Sequence, residues 1–206
     1  MAAIDFDMKF VFVSVGCEGS ANDMKVLRKA IERGGFTVPQ GRYYLADAGY
    51  ANTGRFLCPF RGHMYHLSQF QQVARSSRYR SAEDLFNHRH AQLRNVVERA
   101  FGVVKNRFKI LRIMHPYKFK KQCLVVLACF ILHNFIIIQN ELQNDNDDFL
   151  DHQEEQQEQE DEEDEDSDEE SDEENDPTDI HVGDVLRTTI KNSLWEKMQN
   201  RRNQRN

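Results

Sequence analysis

"KFVFVSVGCEGSANDMKVLRKAIERGGFTVPQGRYYLAD", residues 9–47, reads as strand, helix, strand. "KFVFVSVGC" (9–17) is β-branched and aromatic, the composition of a buried or half-buried strand. "EGSAND" is turn material, and Ser20 or Asn22 is placed to cap the helix that follows. Met24, Leu27 and Ile31 recur at helical spacing, and Gly34 or Gly35 ends the helix. "RYYLAD" (42–47) is a second strand. The unit is βαβ-like and puts Asp47 at the C-terminal end of its second strand, where ligands gather in open α/β sheets. The expected class is α/β.

Beyond this unit, residues 51–80 are irregular, with Pro59, Gly62 and five arginines. Ser81 and Asp84 then stand at capping-box spacing, with Asp in place of Glu or Gln. They open a long helix whose face runs through Leu93, Val97, Phe101 or Val104, Phe108 and Leu111. Pro116 breaks it. A second helix over 121–139 is apolar nearly all round and is expected to be buried. Its longest apolar run, 123–138, is interrupted by His133 and Asn134 and falls short of the ~20 residues a membrane span needs, so no membrane association is expected.

Charge divides the chain. Residues 1–141 hold 21 Lys/Arg against 10 Asp/Glu, 142–179 hold 22 Asp/Glu and no basic residue, and 180–206 hold 6 basic and 2 acidic residues. A basic body predicts a polyanionic partner, DNA first. The acidic tract is expected to be a disordered linker. In 180–206, Leu186, Ile190, Leu194 and Met198 lie four apart, a short amphipathic helix able to dock on the body or on a partner. Cys17, Cys58, Cys123 and Cys129 lack CxxC spacing, which fits a reducing compartment and argues against a disulfide framework or zinc knuckle. The acidic N-terminus does not read as a signal peptide. No GxGxxG, P-loop, HExxH or GxSxG motif is present.

The acids near predicted strand ends or on central helices are Asp5, Asp7, Asp23, Asp47 and Glu98. Two-metal phosphoryl chemistry needs converging carboxylates, because hard divalent ions prefer oxygen donors. A strand-end Asp47 and a helix-borne Glu98 suit that role. Each also has an ordinary reading. Glu98 lies four residues after Arg94, a plain helix-surface ion-pair spacing. Asp23 suits a helix N-terminus, and Asp5 and Asp7 suit solvated strand entry. His88 and His90 do not share a helix face and read as polar-network groups, and His133 reads as a satisfied core histidine. Arg89, Arg94, Arg99, Lys105 and Arg107 form either a solvated face or phosphate contacts, with few acids beside them.

Four blocks in order are more specific: "VSVGCEGSANDMKVL", "YYLADAGYANTGRFLCPFRG", "DLFNHRHAQLRNVVERAFGVVKNRFKIL" and "LACFILHNFI". Over residues 4–140 the chain resembles the DDE transposase domain of the PIF/Harbinger group, the source of the Harbinger transposase-derived nucleases, and "GDVLRTTIKNSLW" also resembles plant members. The resemblance implies a ribonuclease-H-like fold, Mg²⁺ or Mn²⁺, and cutting of DNA in the nucleus, with the cytoplasm as the other compartment. It also leaves room for a DNA-binding partner protein supplied in trans. It assigns the second catalytic aspartate to Asp47 in "LADAGY" and the catalytic glutamate to Glu98 in "VVERAFG".

The first catalytic aspartate of that group lies in an Asp-Gly-Thr-His-like motif on an earlier strand, and these 206 residues contain none. Asp5 and Asp7 match a different position. The expectation is a partial ribonuclease-H-like domain over 1–141, lacking its first strand and one of three carboxylates. Weak or no cutting by this chain alone follows, since positioned metals carry most of such catalysis. The rival expectation is a non-catalytic DNA- or protein-binding remnant.

Overall fold

An antiparallel hairpin opens the chain, β1 (Ala2–Ile4) against β2 (Phe10–Val13). The structure, a computed structural model, describes residues 1–17, 21–64, 70, 79–113, 115–144 and 176–204. The hairpin pairs Ala2 with Val13, Ala3 with Phe12 and Ile4 with Phe10, and its register shifts between Ala3 and Ile4. Its turn is shaped by Asp5, whose Oδ1 accepts from the backbone N–H groups of Asp7 (3.0 Å) and Lys9 (2.8 Å). This is an Asx-type turn, with Met8 at a positive φ of 60°.

α1 (Asp23–Gly34) starts as its sequence dictates. The Asn22 side chain accepts from the Met24 N–H, and Gly35 closes the helix in the left-handed region at φ 71°. Its buried face differs from the expected one: Leu27 and Ala30 are buried, while Ile31 is 39% exposed. The packed face runs through i and i+3, and Ile31 lies a further ~100° round the helix from Ala30.

β3 (Tyr44–Leu45) runs parallel to β4 (Phe56–Leu57). The order strand, helix, strand is as read, but β2 and β3 belong to separate two-stranded ribbons among the described residues. Aromatic packing joins them instead of a hydrogen-bond ladder. The Phe36 ring lies 4.8 Å from Phe12 of the first ribbon and 5.4 Å and 6.3 Å from Tyr44 and Phe56 of the second. Such ring packing buries apolar area between the two ribbons without backbone pairing. Leu27, Ala30 and Ala3 complete this core.

α2 (Ala82–Arg107) begins with Ser81 Oγ accepting from the Asp84 N–H at 3.1 Å, as the capping spacing predicts, and a single 3-10 turn (Lys109–Leu111) follows it. Val104 is buried, and Phe101, Phe108 and Leu111 pack beside it on Phe10 and Phe130. Leu93, expected on this face, is half exposed. The reason is that α2 changes partner along its length. Leu85, Phe86, Asn87, His88 and His90 are buried in its first half, and Ala100 and Val104 in its second. Leu93 falls between the two packed regions.

α3 (Phe119–Asn144) corrects the expectation of a fully buried helix. Cys129, Phe130 and His133 are buried, while Leu124, Ile131, Leu132, Phe135 and Leu142 are between 49% and 67% exposed. Over Phe119–Leu142 the helix is long and apolar enough to cross a membrane by length and composition. Its two polar interruptions face the hairpin. Asn134 accepts from the Phe10 N–H and donates to the Phe10 carbonyl, both at 2.8 Å, and so takes up the outer edge of β2. His133 Nε2 donates to the Met8 carbonyl at 2.9 Å, and its Nδ1 accepts from Arg107 at 3.1 Å. His133 is thus the satisfied core histidine of the sequence reading.

α4 (Pro177–Asn203) is longer than the amphipathic stretch suggested. Asp176 caps it and Pro177 occupies its first turn. Of the linker expected over 142–179, residues 142–144 prolong α3, 176–179 begin α4, and 145–175 lie outside the described residues, as do Arg75 and Arg78. α4 docks on the 52–60 segment and the start of α2. A Cβ on Gly183 would stand 2.5–2.7 Å from the Thr53 backbone, so only glycine permits this approach.

Candidate active site

Asp47 lies just beyond β3, in a turn that its own side chain builds. Its Oδ1 accepts from the Ala48 N–H at 2.8 Å, and its carbonyl accepts from the Tyr50 N–H at 3.1 Å. Its other oxygen, Oδ2, meets Arg94. Glu98 stands on the solvent side of α2, one turn after Arg94. The structure brings the two carboxylates to one atom: Arg94 Nη2 lies 3.2 Å from Asp47 Oδ2 and 3.4 Å from Glu98 Oε1. The carboxylates remain wetted, at 43% and 52% side-chain exposure.

The floor of this site is drier. His90, one turn before Arg94, is buried, and its Nε2 donates to the Leu57 carbonyl at 2.9 Å. Burial holds its pKa below the ordinary histidine range, so the ring is neutral. The Tyr50 phenol is pushed up to about 12, first by burial and then by the charges of Asp23 and Asp47, with Arg94 opposing. It stays a protonated donor beside the carboxylates. Asp23 reaches the same loop from the first turn of α1, because a Cβ on Gly49 would sit 3.3 Å from Asp23 Oδ2. The Cys58 thiol is likewise pushed up to about 12 by burial, which makes it a poor nucleophile.

Behind the site, α4 grips the loop that carries Asp47. Asp179 Oδ1 accepts from the Gly54 N–H at 3.0 Å, and its Oδ2 accepts from Arg55 Nε and Nη2 at 3.1 and 2.9 Å. Asn52 accepts from the Cys58 N–H and donates to Asp184. Arg187 donates to the Pro59 carbonyl and lies over the Phe60 ring at 4.3 Å. Asn87, fully buried, holds the next stretch through the Phe60 N–H and the Phe60 and Met64 carbonyls. His88 accepts or donates at 2.5 Å to the Tyr79 hydroxyl and stacks on Phe70 at 4.6 Å.

The basic residues divide by occupation. Arg94 is spent on the two carboxylates, and Arg107 on His133. Arg89 bonds Gln92 and is exposed, as are Arg99 and Lys105. Asp5 and Asp7 sit in the hairpin turn, where Asp7 pairs with Lys9. The i,i+4 spacing showed that Arg94 meets Glu98, but no sequence signal linked Arg94 to Asp47. The grip of Arg55 on Asp179 was equally hidden, because 124 residues separate them.

The donor set can be tested against a divalent ion. Two carboxylates converging on one cationic nitrogen are hard oxygen donors with solvent beside them, which suits an ion that keeps several waters. Among the described residues no group of three His, Cys, Asp or Glu side chains is close enough to hold a metal. Asp47 and Glu98 are the two hard oxygen donors that the described residues bring together here, with solvent beside both.

Residues 1–134 match the family model of the DDE superfamily endonucleases. The chain is also 28% identical over 170 residues to Protein ALP1-like of Arabidopsis thaliana, an alignment covering 75% of this chain and 38% of that relative. It therefore spans well under half of that relative's length. No solved structure matches the chain. With the family model covering most of its length, the chain belongs to the DDE superfamily endonuclease family.

Proposed function

We propose that this chain is a Harbinger-type, transposase-derived DNA-cutting domain of ribonuclease-H-like kind. In this reading Asp47 and Glu98 are the ligands for Mg²⁺ or Mn²⁺. The observation that carries the reading is the convergence of both carboxylates on Arg94 Nη2. When bound, a divalent ion supplies Lewis acidity at a phosphodiester oxygen and a water of lowered pKa. Asp47 is oriented by its own turn and Glu98 by α2. Arg94 screens their mutual repulsion until a cation displaces it. The exposed Arg89, Arg99 and Lys105 face DNA phosphates. Choice of target falls to a DNA-binding partner in trans, and the site of action is the nucleus.

These residues bring two of the three carboxylates that two-metal cutting uses, so metal affinity and cutting are weak in this chain alone. Mn²⁺ titration followed by electron paramagnetic resonance tests the ligand roles. Binding that weakens at least ~10-fold in both Asp47→Asn and Glu98→Gln supports them. Binding that neither substitution changes sinks them.

One observation favours a second reading, a DNA-binding remnant that does not cut. A guanidinium already satisfies both acids, and no third ligand stands beside them among the described residues. Nicking of supercoiled plasmid in Mn²⁺ separates the two. Nicking that Glu98→Gln abolishes marks an enzyme. DNA binding with no nicking above that variant marks the remnant.

A further inference from the structure

The exposed side of α3 carries an ordered seam that the site does not use. Leu124, Ala128, Ile131, Phe135, Ile138 and Leu142 are all exposed. Their intervals are 4, 3, 4, 3 and 4, the a/d spacing of a heptad repeat. That spacing averages close to 3.5 residues, so the stripe keeps one line along the helix only if a second helix winds against it. At 1.5 Å per residue it is about 27 Å long. A contiguous apolar strip of this size marks an interaction surface.

We propose that this seam binds a second copy of the chain, α3 against α3, antiparallel about a two-fold axis on the seam side midway between Ile131 and Phe135. That register puts Leu124 opposite Leu142, Ala128 opposite Ile138 and Ile131 opposite Phe135, and each layer recurs on the other side of the axis. The small residue meets a large one, as interdigitation requires. The surface is self-complementary, which a two-fold interface demands.

Charge selects the direction. The exposed Lys118, Lys120 and Lys121 precede the seam, and no basic residue occupies the last turn of α3. Antiparallel pairing brings each lysine cluster to the end of the partner helix that carries Glu141, which its own chain's Lys9 already meets at 3.0 Å, and away from the other lysine cluster. Parallel pairing sets the six lysines together. The opposite face of α3 is already committed, through His133 and Asn134, to the hairpin of its own chain. The proposal is independent of the nuclease reading.

Sedimentation velocity of the full chain at micromolar concentration tests it. The expected species is a dimer, and Ile131→Glu with Phe135→Glu raises its dissociation constant at least ~100-fold, with far-UV circular dichroism unchanged. If that pair loses helix, Ile131→Gln and Phe135→Gln singly give the same direction. Lys121→Glu weakens the dimer several-fold at low salt. A monomer at these concentrations, or a dimer indifferent to the seam variants, overturns the proposal. Flotation of a monomeric chain with phosphatidylcholine vesicles also overturns it, in favour of a lipid surface. Leu124→Cys and Leu142→Cys chains, mixed and oxidised, cross-link to one another. Self-linking of Leu142→Cys alone overturns the antiparallel order.

Discussion

Asp47 and Glu98, one from the turn after β3 and one from the middle of α2, meet the same guanidinium nitrogen. Two carboxylates drawn to one point repel each other unless a cation stands between them. Arg94 is that cation, and under the proposed metal role a divalent ion competes with it for the same oxygens.

Replacing Arg94 by Gln therefore tightens Mn²⁺ binding, by about 3- to 10-fold given the strength of solvated ion pairs. The loss of fold stability stays below ~1 kcal/mol, because both acids are about half exposed. Paired calorimetric titration and thermal melts measure the two effects. Weaker Mn²⁺ binding in the variant means Arg94 supports the site rather than guarding it.

Gly183→Ala places a methyl group within 2.7 Å of the Thr53 backbone. Backbone cannot rotate aside as a side chain can, so α4 has to lift. Overpacking of this kind costs about 1–3 kcal/mol. Limited proteolysis is expected to cut the variant near 176–190 first. A stable, protease-resistant variant shows that α4 docks elsewhere.

Asn134→Ala removes both partners of the Phe10 backbone and leaves an N–H and a carbonyl on the edge of β2 unpaired. Each costs about 1–3 kcal/mol where water cannot replace the amide. Urea unfolding reads the loss. Asn134→Asp retains an acceptor for the Phe10 N–H but no donor for its carbonyl, and recovers part of it.

His88, His90 and His133 are all held below the ordinary histidine pKa, chiefly by burial. The unfolded chain then binds protons that the folded chain refuses. Stability is fully present above the unfolded value of ~6.5 and falls as pH drops through it. Melting temperature is expected to decline from pH 7.5 to 5.5, and the slope to shrink in His133→Gln. A flat profile refutes neutral burial of these rings.

Deleting 145–175 removes 20 Asp/Glu and leaves the Asp176 cap and Asp179 in place. The basic body then binds DNA more tightly at low salt, since a tethered polyanion competes with phosphate. Equal affinity across a salt titration refutes that role.

The local elements were legible because their causes are local. Asn22, Gly35 and Ser81 cap α1 and α2 through neighbours two to five residues away, and the aromatic and apolar runs around Phe10–Val13 and Tyr44–Leu45 signalled two of the four strands. Asp47 and Glu98 stood out only through a resemblance in motif, because a lone carboxylate carries no local sign of its partner. Their meeting at Arg94, the grip of Asp179 on Arg55, and the burial of Asn87 depend on contacts between distant segments.

The same division explains where the sequence misled. Hydrophobicity named α3 a core helix, yet hydrophobicity says only that a surface prefers burial, not which surface covers it. By itself the sequence determined the capped helices and the charge partition. Tertiary packing alone decided that the strands form two ribbons with Phe36 packed between them, that one arginine meets both acids, and that half of α3 faces outward. Those outcomes depend on where chain segments lie in space, which no local pattern encodes.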